Sequence, residues 1–231
     1  MKNILNERPK TKLTGRLKFS VGFVKDKDLK NKNVLDIGCG FGWFELCVLK
    51  KGIKQIAGIE ITIDDLKTAK ENIKDERVIF QVGGALKLPF KDNYFDTVTA
   101  WEVIEHIPKN TEEKMFKEIK RVLKKKGAFY LSTPYNSFLS KYFDPAWWFV
   151  GHRHYSEGKL IKLGEKNGFK ISEIIINGGF WSLIDLLDMY IAKWIFRRKP
   201  FLEKSINRKV DNEYKIEKKG FMGIFVKYEN N

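Results

Sequence analysis

The sequence predicts an α/β fold, a mostly parallel sheet of seven strands with helices on both faces, on three observations. Short apolar runs alternate with amphipathic helical segments along the chain, the pattern of βαβ units. One such run, Val34-Leu35-Asp36-Ile37, passes straight into glycines at Gly38, Gly40 and Gly42 and then into a helix. The chain has 231 residues, 43% of them hydrophobic, enough for one α/β domain with a sizeable core. It reads as a single domain over 1–231, with an N-terminal helical cap at 1–30.

Each element has its own signal. Residues 12–25 set Leu13, Leu17, Val21 and Val24 on one helical face. A polar stretch then leads to the strand at Val34. Ile56 to Ile61 is the second strand. Thr62 caps the next helix, with Leu66, Ala69 and Ile73 at helical spacing. Val78 to Val82 and Phe95 to Trp101 are strands three and four. Thr111 caps a helix with the apolar face Met115, Phe116, Ile119, Val122 and Leu123, and Gly127 ends it. Ala128 to Ser132 is the fifth strand, Phe169 to Ile176 the sixth and Phe221 to Tyr228 the last. Ser156 caps the helix before the sixth, and Gly168 closes it. Residues 134–155 and 177–219 fall outside the alternation, where an α/β protein carries its specific additions.

Formal net charge is +15, which favours anionic partners such as nucleic acid, anionic lipid or phosphorylated molecules. A Lys-rich solvated surface fits the same numbers. Cys39 and Cys47 lie in one strand–loop–helix segment and form no disulfide framework, so a cytoplasmic setting is expected. Residues 1–12 are polar and basic, without an apolar signal core. No uncharged apolar run of about 18 residues exists.

Glycine lets a backbone turn tightly and approach a ligand with no Cβ in the way. A dinucleotide loop needs its third glycine one place later, where Trp43 stands. Asp36 would repel a diphosphate but suits a cationic amino-acid moiety. The segment Val34 to Gly42 resembles motif I of class I S-adenosylmethionine-dependent methyltransferases. The resemblance covers about residues 30–176 and the last strand. It implies a Rossmann-like sheet with the last strand antiparallel. It also implies that Asp36, Gly38, Cys39, Gly40 and Gly42 cradle the methionine and ribose parts of S-adenosyl-L-methionine.

Glu60 ends the second strand about twenty residues on, where an acid can accept hydrogen bonds from ribose hydroxyls; Ile61 follows it. Related methyltransferases carry an Asp where Gly84 stands. Backbone groups of Gly84 and Ala85, with Leu86, are then left to meet adenine, and Trp101 closes the set.

Methyl transfer needs a deprotonated or polarised acceptor held in line with the methyl group. Glu102, Glu105 and His106 just past the fourth strand are placed for this by analogy with the family. Their Glu-x-x-Glu-His pattern also offers two carboxylates and an imidazole to a divalent metal such as Mg²⁺, as in two kinds of relative: ubiquinone-pathway O-methyltransferases and small-RNA 2′-O-methyltransferases. The same pair in many relatives simply lines the cofactor pocket.

Tyr135, Trp148, His152 and His154 are candidate substrate contacts within an aromatic stretch that resembles type-11 methyltransferases, and Arg153 is a candidate for an anionic group. As a helix, Phe180 to Phe196 has a narrow stripe of Ser182, Asp185, Asp188 and Ala192 on an otherwise apolar surface, and 197–219 adds nine Lys/Arg against four Asp/Glu. Three roles fit: pocket cover, a homodimer seam, or a membrane-surface contact through 180–199. The expected function is O-methylation of a small molecule, such as a lipid- or quinone-like compound or a lipid-linked glycan. RNA 2′-O-methylation and non-catalytic cofactor binding are the alternatives. Nucleic acid is the weaker partner, since no appended RNA-binding module is visible.

Overall fold

The computed structural model describes residues 7–215 and 220–231. Residues 1–6 of the expected cap and 216–219 of the late insertion lie outside the described residues. In chain order the elements are α1 Gly15–Phe23, β1 Asn33–Ile37, α2 Trp43–Val48, β2 Gln55–Glu60, α3 Ile63–Asn72, β3 Val78–Val82, β4 Phe95–Trp101 and α4 Glu112–Val122. There follow β5 Leu123–Pro134, α5 Phe138–Tyr142, α6 Pro145–Phe149, α7 Glu157–Lys166, β6 Phe169–Asn177, α8 Phe180–Tyr190, α9 Glu203–Glu213 and β7 Gly223–Asn230.

The seven strands form one sheet in the order β3-β2-β1-β4-β5-β7-β6. Pairings among β3, β2, β1, β4 and β5 are parallel, and β7 runs antiparallel to both neighbours. Alternation along β1 splits the core. Leu35 and Ile37 join Val98, Ile119 and Phe129 on the face covered by α4 and α7. Val34 joins Phe23, Phe44 and Phe225 on the face covered by α1, α2 and α9. Both faces are covered, so the central strands read as unbroken apolar runs.

Three element readings change. α4 stops at Val122, and β5 starts at Leu123 rather than Ala128; left-handed backbone at Lys126 (φ 62°) and the small Gly127 let the chain turn within the strand. Of the expected face Leu13 and Val24 are buried and Leu17 and Val21 half-buried, while α1 itself buries Ser20 and Phe23. The aromatic rings there carry more area than the aliphatic stripe: Phe19 lies 4.7 Å from Phe225, centroid to centroid. The long helix expected over 180–196 widens into a π-helical turn at Ile191–Ile195. Of the three cap residues, the Ser156 side chain accepts from the N–H of Lys159, but Thr62 and Thr111 make no side-chain cap bond.

Candidate active site

Parallel strands β1, β2 and β4 end on one side of the sheet, where a cavity of about 610 Å³ opens, within the range of small-ligand sites. Gly38 and Glu60 floor it, Gly84, Ala85 and Leu86 form one wall, and Glu102 and His106 stand at the other end.

The glycine loop is fixed by backbone bonds. The N–H groups of Gly38 and Cys39 donate to the Ile59 carbonyl at 2.8 and 3.0 Å. Gly38, Gly40 and Gly42 all take positive φ. A Cβ on Gly42 would strike Ile73 at 2.8 Å, whereas one on Gly40 would meet nothing within 4 Å. Gly42 therefore serves helix packing, and Gly40 leaves open space for a ligand. The Glu60 carboxylate accepts from the N–H groups of Gly40 (3.2 Å), Ile61 (2.7 Å) and Thr62 (3.1 Å). It is oriented at the cavity wall with acceptor capacity to spare. These residues fit the ribose and methionine ends of S-adenosyl-L-methionine.

Asp36 lies in register between Gly58 and Thr99, fully buried, with Thr99 Oγ1 donating to it at 2.5 Å. Burial raises its pKa to about 8, and Glu60 adds to the rise. Beside it sits Glu45 of α2, which the sequence reading missed. Both Glu45 oxygens are buried without a partner. Burial, then Asp36, pushes its carboxyl well above the usual range. Gly58 makes the space: a Cβ there would lie 2.4 Å from Glu45 Oε1.

At the far end, Glu102 holds left-handed backbone (φ 56°), a conformation that costs a non-glycine residue about 1–3 kcal/mol. Its carboxylate accepts from Ser132 Oγ at 2.7 Å and pairs with Arg16 of α1. Glu105 is buried behind the cavity. Thr133 donates to one oxygen at 3.0 Å, and the other has no hydrogen-bond partner but lies 3.9 Å from His152 Nε2. Burial, with Glu102 nearby, pushes its pKa well up. His106 Nε2 faces His152 Nε2 at 3.3 Å. Burial, then His152, pulls the His106 imidazole down to about 4. His152 Nδ1 lies 2.9 Å from Asp144, which orients the ring and leaves Nε2 toward the cavity wall.

Glu105, His106 and His152 bring one oxygen and two nitrogens within 4.8 Å of one another. That donor set suits nitrogen-preferring first-row metals better than Mg²⁺. Glu102, expected as a further ligand, is committed to Ser132 and Arg16.

Other expected contacts fall elsewhere. Cys39 packs its side chain with Leu66 and Phe80. Trp101 packs on Phe44 at 5.6 Å, outside the cavity lining. The His154 side chain is 2% exposed, closed off from any substrate. Tyr135 donates its N–H to Met222 and packs on the core. Trp148 points to the outer surface. Arg153 is structural: its guanidinium donates to the carbonyls of Ile104, Glu105 and Ile107 and to Glu112, pinning the segment that holds His106.

The family described as "Methyltransferase domain" (type 11) matches residues 35–131. Norajmaline N-methyltransferase of Rauvolfia serpentina is 42% identical over 101 residues, 42% of this chain and 34% of that protein. Ubiquinone biosynthesis O-methyltransferase of Pelagibacter ubique is 26% identical over 74% of this chain and 77% of its own. Geranyl diphosphate C-methyltransferase of Streptomyces coelicolor superposes over 93% of this chain and 79% of its own, with a TM-score of 0.70 and 14% identity. The chain spans about a third of the length of the first curated relatives it matches, 34% and 35%. Residues 35–131 therefore match the methyltransferase domain family, and the fold of this chain is shared over 93% of its length with a methyltransferase structure.

Proposed function

We propose that the chain transfers a methyl group from S-adenosyl-L-methionine to an oxygen of an apolar small molecule, such as a lipid- or quinone-like compound or a lipid-linked glycan. One observation carries this reading: a single cavity joins Gly38, Glu60 and Ala85 to Glu102 and His106. When bound, the cofactor supplies an electrophilic methyl on a sulfonium centre. Glu60 accepts from the ribose hydroxyls. Gly84, Ala85 and Leu86 flank adenine. Asp36, beneath the loop, would lie under the cationic end of the bound cofactor.

His106 is unprotonated at neutral pH, since its pKa is about 4, so an imidazole nitrogen is available to an acceptor hydroxyl. His152, itself held by Asp144, orients the His106 ring through Nε2, and the proton leaving the acceptor hydroxyl goes to the free ring nitrogen of His106. Val103, Ile107 and Pro108 line this end of the cavity, a wall that favours an apolar acceptor. The similar proteins act by name on nitrogen, oxygen and carbon; the choice of oxygen rests on His106.

The test is transfer of labelled methyl into a cell extract, partitioned between organic solvent, aqueous solutes and RNA. Label in the organic phase is expected. Label in RNA replaces this acceptor with a 2′-hydroxyl. No label anywhere, with cofactor binding intact by calorimetry, leaves a non-catalytic binder.

A further inference from the structure

α8 and the turn after it carry their polarity inward. Ser182, Asp188 and Ala192 are buried. Asp188 accepts from the N–H groups of Phe201 and Leu202 at 3.1 and 2.7 Å. Glu213 of α9 accepts from those of Gly179, Trp181 and Ser182 at the start of α8. Ser182 and Asp188 of the polar stripe are used up on these caps while Asp185 stays half-buried, and beyond α8 apolar side chains face out instead. Trp194, Ile195 and Phe196 are exposed, Ile195 at 69%.

Phe138, Trp148 and Phe149 of α5 and α6 are exposed in the same way, Phe149 at 79%. The two segments neighbour one another. Asp144 at the start of α6 lies within electrostatic reach of Tyr190 at the end of α8, and Tyr190 packs on Trp194 at 4.7 Å. Left-handed backbone at Arg197 (φ 47°) ends the turn, with the N–H of Arg198 donating to Ala192 at 3.0 Å. Arg197, Arg198 and Lys199 are thereby set, exposed, directly beyond Phe196. Residues 191–202 hold four Lys/Arg and no Asp/Glu; Lys193 pairs with Glu7 at 2.7 Å, which leaves Arg197, Arg198 and Lys199.

We propose that this face docks on an anionic lipid bilayer, with Trp148, Phe149, Trp194, Ile195 and Phe196 in the interface and Arg197, Arg198 and Lys199 on headgroup phosphates. Charge complementarity selects the occupant. A chain of net charge +15, with Arg197, Arg198 and Lys199 exposed on this face, is attracted to the bilayer, whereas a two-fold contact with a second copy would set these cations against each other. Indole rings, apolar with one N–H, suit the headgroup boundary. The face also borders the site, since His152 follows α6 and meets His106 in the cavity wall. Delivery of a membrane-dissolved acceptor rests on the function proposed above; docking does not.

The test is co-sedimentation of the protein, without cofactor, with phosphatidylcholine vesicles that contain or lack phosphatidylserine. Binding to the anionic vesicles, weakened by salt, is expected. Replacing each of Arg197 and Arg198 by Gln lowers affinity about fivefold. The double change Ile195→Ser with Phe196→Ser, and separately Phe149→Ser, lowers it at least about tenfold with the melting temperature kept. Absence of binding by the folded wild type overturns the proposal, as does full binding by the double variant. A dimer seen by light scattering and dissolved by that same double change would give the face to a second copy. Cofactor affinity by calorimetry on the same samples separates the two ideas. Vesicle binding lost with cofactor binding kept refutes docking alone, and the reverse refutes the methyltransferase reading alone.

Discussion

Asp36 and Glu45 lie together beneath the glycine loop, both buried, and burial raises the pKa of both. The folded-state pKa of Asp36, about 8, stands above its ordinary value of 3.8. Folding therefore takes up a proton, and the stability linked to it is complete below the ordinary value and lost as pH rises through about 8. Denaturation midpoints of the wild type are expected to fall across that window, and those of Asp36→Asn to fall less. Equal slopes for the two would assign the effect to other groups. His106→Ala is expected to lower turnover about 10²–10⁴-fold while leaving cofactor affinity nearly unchanged; intact turnover would make His106 a wall of the pocket. Much of the cofactor cradle was legible from spacing, because a strand, a glycine loop and a strand-end acid fix Gly38, Gly40 and Glu60 locally. Glu45, Arg16 and Asp144 were not, because each acts through a partner that no helical or strand period links to it: Asp36, Glu102 and His152. Cys39 and Trp101 sit at the expected positions, but their side chains face away from the cavity into the core.

At the scale of elements, Arg153 ties the link after α6 to the segment past β4 and to α4. Arg153→Met removes bonds to three carbonyls and leaves Glu112 buried without its guanidinium partner. A loss of about 3–5 kcal/mol is expected in chemical denaturation, with turnover falling as His106 loosens. A loss under about 1 kcal/mol would mean that Lys159, 3.5 Å from Glu112, replaces it. Helical period identified α8 as amphipathic but not which side turns inward. That depends on Asp188 and Glu213 capping backbone that no local pattern displays. The boundary between α4 and β5 moved for a related reason: Gly127 reads as a helix stop, yet it serves a bend inside a strand.

For the molecule as a whole, cofactor at a hundred times its Kd should stabilise the folded state by about 2.7 kcal/mol. That raises the melting temperature by roughly 5–10 °C for a chain of this size. An unshifted melt, with saturation shown by calorimetry, would mean that the unfolded chain binds it too. The sheet itself was readable because the strands carry short apolar runs set apart by helical segments, and both faces of the central strands are covered. Strand order was not, since nothing in β7's composition states which neighbours it separates.

β7 lies between β5 and β6, although both precede it in the chain. As the polypeptide leaves the ribosome, β5 is made with one edge open, and β6 waits with no partner. Open edges recruit stray strands. A nascent chain that stalls before residue 223 thus becomes a substrate for chaperones and proteases, and a version cut there would precipitate rather than persist in a weakened folded form.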